Sequence, residues 1–162
     1  MMKLYDEGEK LTKEQINDYE KILNIQLPRD YIEFILESNG GTPEEDLVFD
    51  FYDVVEKSNN TTDIREFYVF YNEAETSFDD IIKVNGNIKD EKMLPIGCFV
   101  FADDSAGNPI CIKTSGEDVG SVYFCNQDYE DEDTGYLAMS KVADSFKEFI
   151  EKNIYIGGIN GR

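Results

Sequence analysis

Leu94-Pro95-Ile96-Gly97-Cys98-Phe99-Val100-Phe101 opens the stretch that decides the fold. It holds the longest apolar run of the chain, Ile96 to Ala102, which reads as a strand and is far too short to span a bilayer. Apolar runs follow at residues 109–112, 121–125 and 136–139. Polar turns separate them: Asp103-Asp104-Ser105-Ala106-Gly107-Asn108, then residues 115–120, then the acidic residues 128–133. Short apolar runs punctuated by such turns predict an antiparallel meander.

Upstream of the meander the period changes. Thr12 and Gln15 have capping-box spacing, and Leu11 and Ile16 stand as a hydrophobic staple. A helix is expected from there, its apolar face continuing through Tyr19, Ile22 and Leu23. Pro28 suits the first turn of a second helix that buries Tyr31, Phe34 and Ile35, and Asn39-Gly40-Gly41 supplies a left-handed stop. Residues 47–52 and 66–71 read as strands, with residues 57–63 as a loop between them. Ser77 and Asp80 are candidate caps of a third helix carrying Phe78, Ile81 and Ile82, ending near Gly86. Ser145, with Glu148 three residues on, starts a last helix whose face is Phe146, Phe149 and Ile150. The residues 157–161, Gly-Gly-Ile-Asn-Gly, read as a frayed end or a helix stop.

The expected fold class is therefore α+β: a mainly antiparallel twisted sheet flanked by about four helices. A length of 162 residues and 41% apolar content fit one domain. Its core is expected at about 12–153, with 1–11 and 154–162 as terminal extensions. The first ten residues are polar and charged, without a secretory apolar segment, so a cytoplasmic protein is expected. Cys98, Cys111 and Cys125 lie among apolar residues with no CxxC spacing, and read as reduced, packed thiols.

Charge and chemistry bound the function. Thirty-five acidic residues against fifteen basic ones leave −20. Nucleic acid and anionic membrane surfaces are repelled by such a chain, whereas a basic protein partner is attracted. There is no histidine, which removes Ser-His-Asp and Cys-His catalysis and most transition-metal sites. Asp128-Tyr129-Glu130-Asp131-Glu132-Asp133 alternates like a calcium loop, but its sixth position is Asp133 and its twelfth Met139, where an EF-hand needs Gly and Glu. Neither a metal nor a cofactor is expected. The glycine-rich end follows a helix instead of preceding one, so it is no phosphate cradle. For an enzyme there remain paired carboxylates, a lysine nucleophile or a carboxylate-held divalent cation.

Five segments, in order, resemble a known family. Leu27-Pro28-Arg29-Asp30-Tyr31-Ile32-Glu33-Phe34-Ile35 with Asn39-Gly40-Gly41 resembles the opening LPxxYxxFL…NGG signature of the SUKH superfamily. Leu94-Pro95-Ile96-Gly97 resembles its central motif, Asn108-Pro109-Ile110-Cys111-Ile112 and Gly120-Ser121-Val122-Tyr123-Phe124 two of its strands, and the segment with Ser145, Phe146 and Phe149 its closing helix. Asn108 stands where that family often has Asp, and the preceding turn has fewer glycines. The resemblance implies an α+β domain without recognised catalytic residues. It also implies a role as a bacterial immunity protein that neutralises a toxin, often a nuclease, or as a regulator of the yeast cell-wall-synthesis type. The leading expectation is a non-catalytic immunity protein docking on a basic toxin domain. A regulatory scaffold is the alternative, and a carboxylate-dependent hydrolase the remote one. The contacts expected are Asp103, Asp104, Glu117, Asp118, Asp128, Glu130, Asp131, Glu132 and Asp133, on strand-joining loops. Glu44-Glu45-Asp46 is an alternative acidic face.

Overall fold

The computed structural model describes residues 2–71 and 80–158. The meander folds as β6 (Cys98–Asp103), β7 (Pro109–Lys113), β8 (Val122–Glu130) and β9 (Leu137–Ala143), with the short β5 (Glu66–Phe67) added beside β6. Every pairing in this five-stranded sheet is antiparallel. The remaining strands form two smaller sheets. β3 (Leu47–Asp53) lies between β4 (Ser58–Asp63) and β10 (Tyr155–Ile156), and β1 (Leu4–Tyr5) pairs with β2 (Thr42–Pro43). The α+β architecture is thus as expected, with its strands divided among three sheets. Both terminal extensions contribute a strand. No helix of the described residues is long and apolar enough to cross a membrane.

Local signals set three helix starts. Thr12 and Gln15 complete the capping box of α1 (Lys13–Leu23), Thr12 Oγ1 accepting from the Gln15 N–H. Pro28 precedes α2 (Arg29–Glu37), and Ser145 accepts from the Glu148 N–H to start α4 (Phe146–Glu148), which continues as a π-turn over Phe149–Asn153. Tyr31 on α2 is the hub of the core. Its ring meets Phe99 at 5.5 Å, Phe101 at 5.9 Å and Phe146 at 5.1 Å, joining α2, β6 and α4. Edge-to-face contacts of this kind add to the burial of the rings themselves.

Several sequence expectations are corrected. Residues 58–63 form a strand, because polar Ser-Asn-Asn-Thr-Thr-Asp takes its order from six register partners on β3. The strand expected over 66–71 is regular only at β5. Ile22 is 65% exposed, so the buried face of α1 is carried by Ile16 and Tyr19. Asp80 caps α3 (Ile81–Asp90) by accepting from the Ile82 N–H, while Ser77 and Phe78 lie outside the described residues. Gly86 does not end this helix. α2 ends on an extended Ser38, and the left-handed turn comes two residues later at Gly40 (φ 69°) and Gly41 (φ 126°).

The two glycines Gly40 and Gly86 predict opposite mutational effects. A Cβ at Gly40 would lie 2.5 Å from the Tyr68 carbonyl oxygen and 2.7 Å from that of Phe67, on a left-handed backbone. Gly40→Ala is expected to cost about 2–3 kcal/mol, from strain plus a collision with backbone that cannot swing away. A Cβ at Gly86 meets nothing within 4 Å. Gly86→Ala is therefore expected to raise stability by about 0.5–1 kcal/mol through helix propensity. Urea unfolding of both variants measures the contrast.

Two asparagines complete ladders that the strands leave unfinished. Beyond β5, the Val100 N–H and C=O of β6 are met by the side-chain amide of Asn85, each at 2.8 Å. Asn39 does the same for Phe70, donating to its carbonyl at 2.7 Å and accepting from its N–H at 2.9 Å. It also donates to the Glu9 carbonyl at 2.8 Å. A primary amide carries a donor and an acceptor side by side, as a strand residue does.

Candidate protein-docking surface

The expected contact residues divide into three groups, of which the first is not a surface. Asp104 is 1% exposed. Its carboxylate accepts from the Ala106 N–H (3.1 Å), the Asn108 N–H (2.8 Å), the Asn108 amide (3.0 Å) and the Thr62 hydroxyl (2.7 Å). Those bonds shape the β6–β7 turn and tie it to β4. Asp103 belongs to β6, where the Arg65 guanidinium grips it with two bonds of 2.9 and 2.8 Å and the Tyr68 hydroxyl donates at 2.8 Å. Arg65 also lies 3.6 Å from Glu66, so one cation balances two mostly buried carboxylates. Both aspartates are structural, and neither is available to a partner. The Asp104…Gly107-Asn108 spacing, an Asx-turn pattern, was the signal for this role in the sequence.

Glu117 and Asp118 form the second group, exposed on the β7–β8 loop. Asp118 accepts from the Tyr123 hydroxyl at 3.0 Å and lies 3.9 Å from Lys141. Partial burial and then the Asp118 carboxylate push the Tyr123 phenol up to about 12. Lys141 is raised chiefly by its 2.8 Å bond to Asp144. This corner is therefore partly neutralised by its own cation.

The third group occupies the opposite end of β8. A strand of nine residues separates the two, on the order of 25–30 Å. Pairing passes directly from Asn126–Ala138 to Glu130–Leu137, so Gln127, Asp128 and Tyr129 are extra residues on β8. This bulge and the following turn form an acidic ribbon. Asp128, Glu130, Glu132 and Asp133 are exposed, as is Tyr129. Asp131 instead shapes the turn, accepting from the N–H groups of Asp133 and Thr134 at 2.8 and 3.1 Å. The fold therefore does not gather the expected acids into one patch.

Residues 10–152 match the SMI1 / KNR4 family (SUKH-1). The chain belongs to this family. No curated protein matches it. The SUKH-1 match runs from the α1 cap to the last helix, and its motif residues are architectural. Pro95 begins a tight turn closed by the Cys98 N–H at 3.2 Å, with Gly97 at φ 95° where a Cβ would strike the Ser115 side chain. Phe146 and Phe149 are buried in the core with Tyr31.

Further chemistry is sparse. Among the described residues no group of three or more Cys, Asp or Glu side chains is placed to hold a metal ion. Cys111 and Cys125 are buried with their sulfurs 3.7 Å apart, and Cys98 is half-buried. Bonding to Cys125 and burial hold the Cys111 thiol well above its ordinary range, so it stays protonated. The acids of this SUKH-1 domain are suited to electrostatic recognition. Sequence reading passed over one acidic surface, the α2 face that carries Glu33 and Glu37. Its carboxylates are spread among core positions at helical spacing, so they form no visible run.

Proposed function

We propose that the protein is a non-catalytic, cytoplasmic immunity protein that binds a basic toxin domain of the nuclease type and blocks its active site or substrate channel. The observation that carries this reading is the ribbon at the end of β8, where Asp128, Glu130, Glu132 and Asp133 are exposed together with Tyr129. Membership of the SUKH-1 family supports the protein-binding role. Acidic residues on a projecting ribbon steer a cationic partner towards the interface, and Tyr129 supplies a rigid apolar contact once water is displaced. Glu117 and Asp118, at the other end of the strand, would make a separate contact.

The test is stopped-flow association with a basic toxin domain recovered by pull-down from the native host. Replacing Asp128, Glu130, Glu132 and Asp133 together by Asn or Gln should slow association by about 10–100-fold at low salt, with a smaller effect at high salt. Unchanged association would remove the ribbon from the interface. Absence of any binding to a basic toxin domain, even at low salt, would sink the immunity reading. The family match equally supports a regulatory scaffold, whose partner would be a signalling or wall-synthesis protein.

A further inference from the structure

A groove of about 900 Å³ lies where α2, α4 and the two chain-end strands meet, and neither Asp103 nor Asp104 lines it. Its floor is apolar, built on Phe34, Phe146, Ile150 and Ile154, with Leu4 and the exposed Ile156 at its border. Its rim is acidic. α2 presents Asp30, Glu33 and Glu37 beside Phe34, because positions i, i+3, i+4 and i+7 share one side of a helix. Glu45 and Glu151 continue the rim, and only Lys3 and Lys147 among the lining residues oppose these five carboxylates.

The rim acids have different tasks. Asp30 accepts from the Lys147 N–H at 2.9 Å and so fastens α2 to α4. Glu33, Glu37, Glu45 and Glu151 are exposed, and none forms an ion pair among the described residues. Unpaired carboxylates around an apolar floor repel a second copy of a chain carrying −20, and they repel acidic segments generally. The complementary occupant has apolar side chains to cover the floor, flanked by Lys or Arg to meet the rim.

We propose that this groove is the docking site for an amphipathic basic segment of a protein partner. The inference rests on the reading of a basic partner and adds where its apolar anchors go. Two walls, α2 and α4, lie within the family match, whereas residues 2–4 and 154–156 line the groove from outside residues 10–152. The shared domain thus supplies the acidic helix face, and the chain ends shape the groove for a particular partner.

The experiment uses the full chain labelled with 15N and two fourteen-residue peptides at low salt. One peptide sets Leu at helical i, i+4 spacing among Lys, and the other replaces each Leu by Ser at the same charge. The Leu peptide is expected to give saturable shifts at the amides of Phe34, Ile150 and Ile154, and to bind about tenfold or more tightly than the Ser peptide. Ile150→Asp should abolish the groove shifts. Glu33→Lys with Glu37→Lys, at exposed positions that leave the core untouched, should weaken the Leu peptide comparably. If both peptides shift only the amides of the 128–133 ribbon, the groove proposal is overturned and the basic-partner reading stands. If neither gives saturable shifts anywhere, both are overturned.

Discussion

Phe101→Ala is expected to be among the most damaging single substitutions in this protein, costing about 3–5 kcal/mol. Phe101 is fully buried in β6, and its ring meets Tyr31 at 5.9 Å, Phe67 at 6.3 Å, Phe146 at 5.3 Å and Phe149 at 6.0 Å. Those neighbours come from α2, β5 and the last helical segment, so none can collapse into the vacated space without pulling its element off the sheet. The loss is a large share of the ~5–15 kcal/mol that holds a domain together. Urea unfolding should show the midpoint falling by about 1.5–2.5 M at an unchanged slope. Phe101→Leu, which keeps most of the volume, should recover more than half of the deficit. Equal damage from the two variants would mean that ring contacts, rather than filled volume, hold this core.

Asn39 is the second site of large effect, through polar rather than apolar loss. It is 2% exposed and satisfies three backbone groups: the Phe70 N–H, the Phe70 carbonyl and the Glu9 carbonyl. Asn39→Ala strands all three, each worth about 1–3 kcal/mol when left unmet, for a total of about 3 kcal/mol or more. Asn39→Asp is the sharper test, because it changes little but charge. A carboxylate there faces two carbonyl oxygens in a buried site, so its folded-state pKa must rise above the unfolded value of about 3.9. For an acid raised in this way, stability is greatest below the unfolded pKa and falls as pH rises towards the folded one. The variant should therefore lose more stability relative to the parent at pH 7.5 than at pH 5. A pH-independent deficit would show that water, not charge, fills the site.

These sites also show why parts of the fold were legible and others were not. The capping box at Thr12, the Ser145 cap and the alternation of apolar runs with polar turns act over a few residues, so the sequence displays them directly. β4 was hidden because Ser-Asn-Asn-Thr-Thr-Asp has no strand character of its own. It becomes a strand because β3 offers a partner and because Asp50 and Asp53 bond Thr61 and Asn60. Gly86 looked like a helix stop, yet a glycine breaks a helix only weakly when its surroundings hold it. Ile22 fits the apolar face of α1 by spacing, but the fold leaves it 65% exposed.

For the candidate surface the division is sharper. Composition alone determined that the chain is strongly acidic and has no histidine chemistry, and the order of its motifs carried the resemblance to the SUKH superfamily. Only the tertiary structure decided which acids face a partner. Asp103 and Asp104 are adjacent to the visible acidic turn, but Arg65 and Tyr68, some 35 or more residues away in sequence, draw Asp103 inward. Glu117 and Asp118 lie near Asp128 in sequence, but a strand places them at opposite ends of the sheet. Glu33, Glu37, Glu45 and Glu151 are scattered along the chain, and the packing of α2 against α4 with the chain ends brings them around one groove. Net charge is a sum over residues and survives any folding. A charged surface depends on which side chains the core turns outward, and that is fixed by contacts between residues far apart in the sequence.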